Sequence, residues 1–125
     1  MKKTIKTMDA PQAIGPYSQA VEAGEFVFIS GQIPIDTKGN VITADMRKQT
    51  AQVMENAKAI LIAAGCGVQN VVKTTIYLKS MDDFAVVNEV YGGYFRSEPP
   101  ARATVEVSKL PKDVGVEMDF IAWKG

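Results

Sequence analysis

The 125-residue chain contains no histidine and only one cysteine, Cys66. Without an imidazole, Ser-His-Asp triads, Cys-His pairs, histidine-bearing zinc sites and histidine pH switches are all excluded within one chain. One thiol forms neither an intramolecular disulfide nor a CxxC pair, so nothing asks for an oxidising compartment and the sequence reads as cytoplasmic. Net charge is missing too: 14 Lys and Arg balance 14 Asp and Glu, with no clustered basic face. Nucleic acid is therefore not an expected partner. Long hydrophobic runs are absent. The longest, residues 59–68, is interrupted by Gly65 and Gly67 and is too short to span a bilayer, so no membrane association is expected. Lys2, Lys3 and Lys6 lead into Thr, Met, Asp, Ala and Pro rather than an apolar stretch, which argues against a signal peptide. No glycine-rich phosphate loop, zinc-ligand cluster or dinucleotide fingerprint is present, so neither a metal nor a cofactor is expected.

What the chain does contain is an ordinary globular composition, 46% hydrophobic and 22% charged. That composition and length predict one domain over residues 1–125, burying roughly two-thirds of the surface its unfolded form exposes. No repeat or linker divides it, and APQAIGP (residues 10–16) reads as a stiff, ordered loop. FVFIS (residues 26–30), closed by Gly31, is a strand signal; EAGE (22–25) before it and TKGN (37–40) after it read as turns. From 45 to 64, Met46, Val53, Ala57, Ile60, Leu61 and Ala64 recur at helical steps, with Thr43 or Asp45 as N-cap and Gly65 as the stop. Residues 71–78 alternate as a strand that places Val72, Thr74, Ile76 and Leu78 on one face. Asp82 and Asp83 open a second helix with Phe84, Val87, Tyr91 and Tyr94 or Phe95 inward, ended by Pro99-Pro100. Strands near 102–107 and 116–123 close the chain. Two helices cover one face of such a sheet, which predicts that the other face meets another copy of the protein.

Few residues are suited to chemistry. Arg102 stands between Pro-Pro-Ala and an apolar strand, where a guanidinium serves either as a carboxylate clamp or as the partner of Glu106 or Asp119 in a structural ion pair. Glu117, flanked by Val116 and Met118, is either a proton-transferring carboxylate at a pocket mouth or half of a salt bridge. Were the last two strands a simple hairpin, Arg102 would lie opposite Ile121, about 13 Å along the strand from Glu117. The two would then meet only across a subunit boundary. Tyr17 in GPYSQA and Ser30 in FISGQIP are hydroxyls beside turn residues, fixed either for a ligand or simply as a turn cap and a half-buried ring. Cys66 has no activating partner and reads as inert. Asp82-Asp83 reads as a helix start rather than a cation site.

AIGPYSQAV, SGQIP, VVKTTIYL with DDFAVVNEVY, and above all PPARATVEVSKLPKDVGVEMDFIA resemble the RidA (YjgF) family of reactive-intermediate deaminases, in the same order from about Met8 to Trp123. The resemblance implies an α+β, chorismate-mutase-like subunit, a six-stranded mixed sheet with two helices on one face. It also implies a homotrimer with sites at the subunit interfaces, and last strands that are not hairpin neighbours. Arg102 matches the family's carboxylate-binding arginine, Glu117 its water-orienting glutamate, and Tyr17 and Ser30 its two hydroxyl residues. Gly31 and Asn88 fall on positions that line the cleft. Thr104 departs from the pattern, standing where many members have cysteine; a hydroxyl is able to hydrogen-bond but supplies no thiolate, which makes covalent cysteine chemistry unexpected.

The activity so implied is hydrolysis of 2-imino acids and their enamines, such as 2-iminobutanoate and 2-iminopropanoate, to 2-keto acids and ammonia. An electrophilic imine needs mainly positioning and one proton relay, which suits a protein without histidine. Two other readings remain: a trimeric sensor of small carboxylates, and a translation-inhibiting ribonuclease, the latter poorly served by a chain with no basic excess.

Overall fold

The computed structural model describes residues 1–125. Six strands run β1 (Lys3–Ile5), β2 (Ala20–Ala23), β3 (Phe26–Gln32), β4 (Val71–Leu78), β5 (Ala101–Glu106) and β6 (Val116–Trp123), with α1 (Met46–Ala63) after β3 and α2 (Phe84–Gly92) after β4. They form one sheet in the order β1-β2-β3-β6-β4-β5. All pairings are antiparallel except β4 with β5. A parallel pair cannot be closed by a tight turn, and α2 supplies the crossover between them. The result is the expected α+β fold, with a mixed sheet and two helices on one face.

Alternation along β6 explains the layering. Val116, Met118, Phe120 and Ala122 are 0–1% exposed and meet Val53, Met54, Ala57, Ile60 and Leu61 of α1 in one core cluster. Each fully buried side chain of the larger sort contributes about 1.5–3 kcal/mol of transfer free energy. The intervening β6 residues Glu117, Asp119, Ile121 and Trp123 point to the face that neither helix covers. By register, Phe26, Phe28, Tyr77 and Val105 share that open face. Phe26, Phe28, Val105 and Trp123 are each more than 40% exposed there.

Local signals place the ends. Asp45 caps α1 by accepting from the Lys48 amide at 3.0 Å, and Gly65 takes the left-handed φ of 83° that stops it. Gly24, with φ 60°, makes the two-residue β2–β3 turn, and Asp36 accepts from the Lys38 and Asn40 amides to hold the next one.

Three sequence expectations change. β3 runs through Gly31 to Gln32 instead of closing at it, because Ser30-Gly31 form a bulge opposite the single residue Asp119. Val72 is 40% exposed while Val71 is buried, since a second bulge between Val71 and Lys73 shifts the alternation by one. Helix α2 ends at Gly92 rather than at the prolines, and a single 3-10 turn, Met81–Asp83, capped by Ser80, precedes it. Strand β1, among the N-terminal lysines, carries only one buried residue, Ile5, and so has no hydrophobic pattern to reveal it. No helix is long and apolar enough to cross a membrane.

Candidate functional site

The candidate residues fall into two groups. The first surrounds the Ser30-Gly31 bulge. A Cβ at Gly31 would collide with Oε2 of Glu117, so the bare glycine backbone is what lets this carboxylate lie across the bulge. Glu117 has no ion-pair partner in the chain, so the salt bridge that was its structural alternative does not form there. Burial pushes its carboxyl above the ordinary range, and the nearby Asp119 adds to the effect. Ser30 donates its hydroxyl to the Ser18 carbonyl at 2.6 Å, and its amide bonds the Gln19 carbonyl at 3.0 Å. These bonds tie the bulge to the loop that carries Tyr17. Tyr17 is half exposed, with its hydroxyl 3.5 Å from the Ile14 amide.

Gln19, absent from the sequence-based candidates, organises that loop. It is buried, accepts from the Thr7 amide at 2.7 Å and donates to the carbonyls of Thr7, at 3.1 Å, and Pro11, at 2.8 Å. Gln19 stands within the AIGPYSQAV stretch, but nothing local says which carbonyls it will reach, so the fold reveals this role. Between the loop and the bulge lies a cleft of about 350 Å³, lined in part by Tyr17, Gly31, Gln32 and Ile35.

The second group is on the edge strand β5. Arg102 donates to Oδ1 of Asn88 at 2.7 Å, and its guanidinium carbon stands 5.1 Å from the Tyr91 ring centroid and 5.6 Å from that of Phe84. Phe84, Asn88 and Tyr91 follow one another at four- and three-residue steps, so one face of α2 receives the arginine. Tyr91 is itself held by a 2.8 Å bond to Thr74. The sequence pattern placed Phe84 and Tyr91 in the core, and Tyr91 is buried, but both also form the platform for Arg102. No carboxylate pairs with Arg102. Glu106 accepts from the Met81 amide and Asp119 from the Tyr77 hydroxyl, so neither forms the ion pair that was the structural alternative. Arg102 Nε and its other terminal nitrogen have no acceptor in the chain. Two residues along the same face, the Thr104 hydroxyl is buried without a hydrogen-bond partner. A buried polar atom left unpaired is costly, which marks this end of β5 as incomplete by itself.

The fold does not join the two groups. Strand β4 separates β5 from β6, so the hairpin pairing does not occur. Arg102 is level with Thr74 and Phe120 on the helix side, whereas Glu117 is level with Tyr77 on the open side. Opposite faces, two strands apart, keep the guanidinium and the carboxylate from acting on one small molecule within a single chain.

The model of the family described as Endoribonuclease L-PSP matches residues 7–124. A RutC family protein of Pyrococcus horikoshii is 58% identical over 125 residues, covering 99% of both chains. A protein of Salmonella typhimurium named 2-iminobutanoate/2-iminopropanoate deaminase is 49% identical, covering 98% of both. Among solved structures, the YjgF gene product of E. coli superposes with a TM-score of 0.94 at 47% identity, covering 98% of this chain and 99% of its own. E. coli TdcF with bound serine gives 0.94 at 43%, with the same coverage.

Proposed function

The chain belongs to the RidA (YjgF) family, described as Endoribonuclease L-PSP, and from that premise we propose that it hydrolyses reactive 2-imino acids to 2-keto acids and ammonia. The observation that carries this reading is the Arg102 guanidinium, fixed by Asn88 and two rings yet without any carboxylate of its own. Such a group is ready to take a planar carboxylate through two parallel hydrogen bonds. Serine in TdcF is a carboxylate of comparable size, which supports a small α-substituted acid as ligand.

The reading requires that Arg102, Asn88 and Thr104 of one copy face Tyr17, Ser30, Gly31 and Glu117 of another. The unpaired face with Phe26, Phe28, Val105 and Trp123 supports an assembly of copies, and a homotrimer with clefts between subunits meets the requirement. Arg102 then holds the 2-carboxylate while Asn88 keeps the guanidinium level. Tyr17 and Ser30 border the imine, and Glu117 orients a water. The water oxygen bonds to C2, the C=N π pair moves to nitrogen, and Glu117 takes the water's proton. The imine enters in its protonated form, and Glu117 returns that proton to the carbinolamine nitrogen. It then takes the hydroxyl proton as the C–N bond breaks, so that ammonia leaves and the oxygen becomes the keto oxygen. A carboxyl raised by burial is better matched to this exchange near neutral pH than an ordinary one.

The test couples the protein to threonine dehydratase and follows 2-oxobutanoate release. Wild type accelerates release, and Arg102→Ala and Glu117→Gln lose most of that acceleration. Tight binding of 2-oxobutanoate without faster imine loss would instead make the protein a carboxylate sensor. The family description names ribonuclease activity, for which this chain's balanced charge offers no phosphate-binding excess. Salt-sensitive RNA cleavage that disappears in Arg102→Ala would favour it. Light scattering that finds a 13.5 kDa particle at micromolar concentration would overturn the composite site.

A further inference from the structure

The cleft beside Tyr17 and Gly31 does not end at the bulge. It continues outward past Gln32 to Lys38, on the turn after β3, and Lys112, in the loop before β6. Neither ammonium group forms a close ion pair: those of the chain use Arg47, Lys79 and Lys124, and no hydrogen bond involves either Nζ, although Lys38 is near enough to Asp36 to add to the Asn40 amide in lowering its carboxyl below the ordinary range. The one carboxylate in the cleft wall, Asp36, is occupied by its own turn, accepting from the Lys38 and Asn40 amides at 2.9 Å each. Two ammonium groups against one ionised carboxylate leave this end of the cleft with a net positive charge.

Lys112 is also held where it stands. It and Asp113 both adopt left-handed backbone, φ 56° and 57°, which residues with a Cβ rarely take. Strain of this kind persists only when its surroundings impose it, and it is found preferentially at ligand sites. Here Pro111 opens the turn, the Asp113 amide bonds the Leu110 carbonyl at 3.1 Å, and Lys79 grips the loop twice. Its Nζ pairs with Asp113 at 2.6 Å, and its amide bonds the Gly115 carbonyl at 3.0 Å.

We propose that Lys38 and Lys112 form a second carboxylate subsite, so that the protein favours 2-imino acids carrying a carboxylate on the side chain, such as 2-iminosuccinate, over uncharged ones. The proposal rests on the imine-hydrolysis reading and concerns the cleft that adjoins the Glu117 carboxylate at Gly31 and Tyr17. With the 2-carboxylate on Arg102 of another copy and C2 beside Glu117 and Gly31, the substituent on C2 has the outer cleft to occupy. A methyl or ethyl group gains nothing from two ammonium ions, whereas a distal carboxylate gains charge-assisted hydrogen bonds. Lysines suit the task because a flexible stem brings a point charge to side chains of slightly different length.

The experiment uses Lys38→Gln, Lys112→Asn and the double variant; asparagine is chosen because it tolerates left-handed backbone. 2-Iminosuccinate and 2-iminobutanoate are generated in situ by amino-acid oxidases, and imine loss is followed by semicarbazone trapping. Wild type should show kcat/KM about tenfold higher for the dicarboxylic imine. The double variant should lose that preference through KM and change the 2-iminobutanoate rate less than about threefold. Equal losses on both substrates, or none, would overturn the subsite. Calorimetric binding of oxaloacetate and 2-oxobutanoate gives a readout independent of turnover. If wild type accelerates neither imine, hydrolysis fails as the function, and the subsite still stands or falls on whether the double variant selectively weakens oxaloacetate. Unchanged thermal unfolding verifies that each variant is folded.

Discussion

The helix-covered face and the open face of the sheet are built from alternate residues of the same strands, yet they finish differently. On the covered side Val116, Met118, Phe120 and Ala122 have lost essentially all exposure to α1 and its neighbours. On the other side Trp123, Phe28 and Val105 remain more than 40% exposed, and Glu117 is left without an ion-pair partner. Stability is concentrated on the first face. Unused recognition capacity is concentrated on the second and along the β5 edge, where Arg102 and Thr104 are unsatisfied. A chain whose core is complete while its candidate site is split between faces fits chemistry carried out between copies.

The sharpest way to break this contrast is a matched pair of truncations. Phe120→Ala empties a fully buried site and should cost about 3–5 kcal/mol in urea unfolding. Phe28→Ala, on the open face, should cost an isolated chain within about 0.5 kcal/mol while weakening assembly in light scattering. Similar unfolding losses in both would erase the distinction between the faces.

Arg102→Ala comes next in size. Loss of a bidentate carboxylate contact predicts a fall in kcat/KM of about a hundredfold, with a stability cost of only about 1 kcal/mol from the exposed contacts with Asn88, Phe84 and Tyr91. A large stability loss would return Arg102 to a structural role. Gly31→Ala tests the bulge more gently. The new methyl must displace the Glu117 carboxylate, and an activity loss of about tenfold is expected, read in the same coupled assay.

The smallest effect concerns pH. Because the folded protein holds the Glu117 proton more tightly than the unfolded chain does, its contribution to stability is full below the ordinary carboxylate range. That contribution is lost as pH rises through the raised value. Glu117→Gln should therefore unfold slightly later than wild type at neutral pH and show no advantage in acid. An advantage that persists in acid would mean that the carboxylate is not the cause.

Much of this was legible beforehand because it depends on neighbours in sequence. The spacing from Met46 to Ala64 found α1, the alternation in β6 found the covered face, and Gly65 marked its stop. The same reasoning failed at Val72, where one extra residue in a bulge reverses the faces, and at β1, whose single buried residue has no period. Among candidate site residues, the chemistry of Arg102 and Glu117 followed from residue type and setting. The aromatic platform under Arg102, the Gln19 anchor and the two lysines of the outer cleft did not.

The physical reason is range. Helix caps, turn glycines and hydrophobic periods act over a few residues, and the amino-acid sequence by itself determined them, together with the exclusion of histidine, disulfide and thiol-pair chemistry. Which residues face each other across the sheet depends on strand order, and inserting β4 between β5 and β6 is a long-range choice that no local pattern encodes. Only the tertiary structure could separate Arg102 from Glu117 onto opposite faces, leave Thr104 without a partner and bring Lys38 and Lys112 to one cleft.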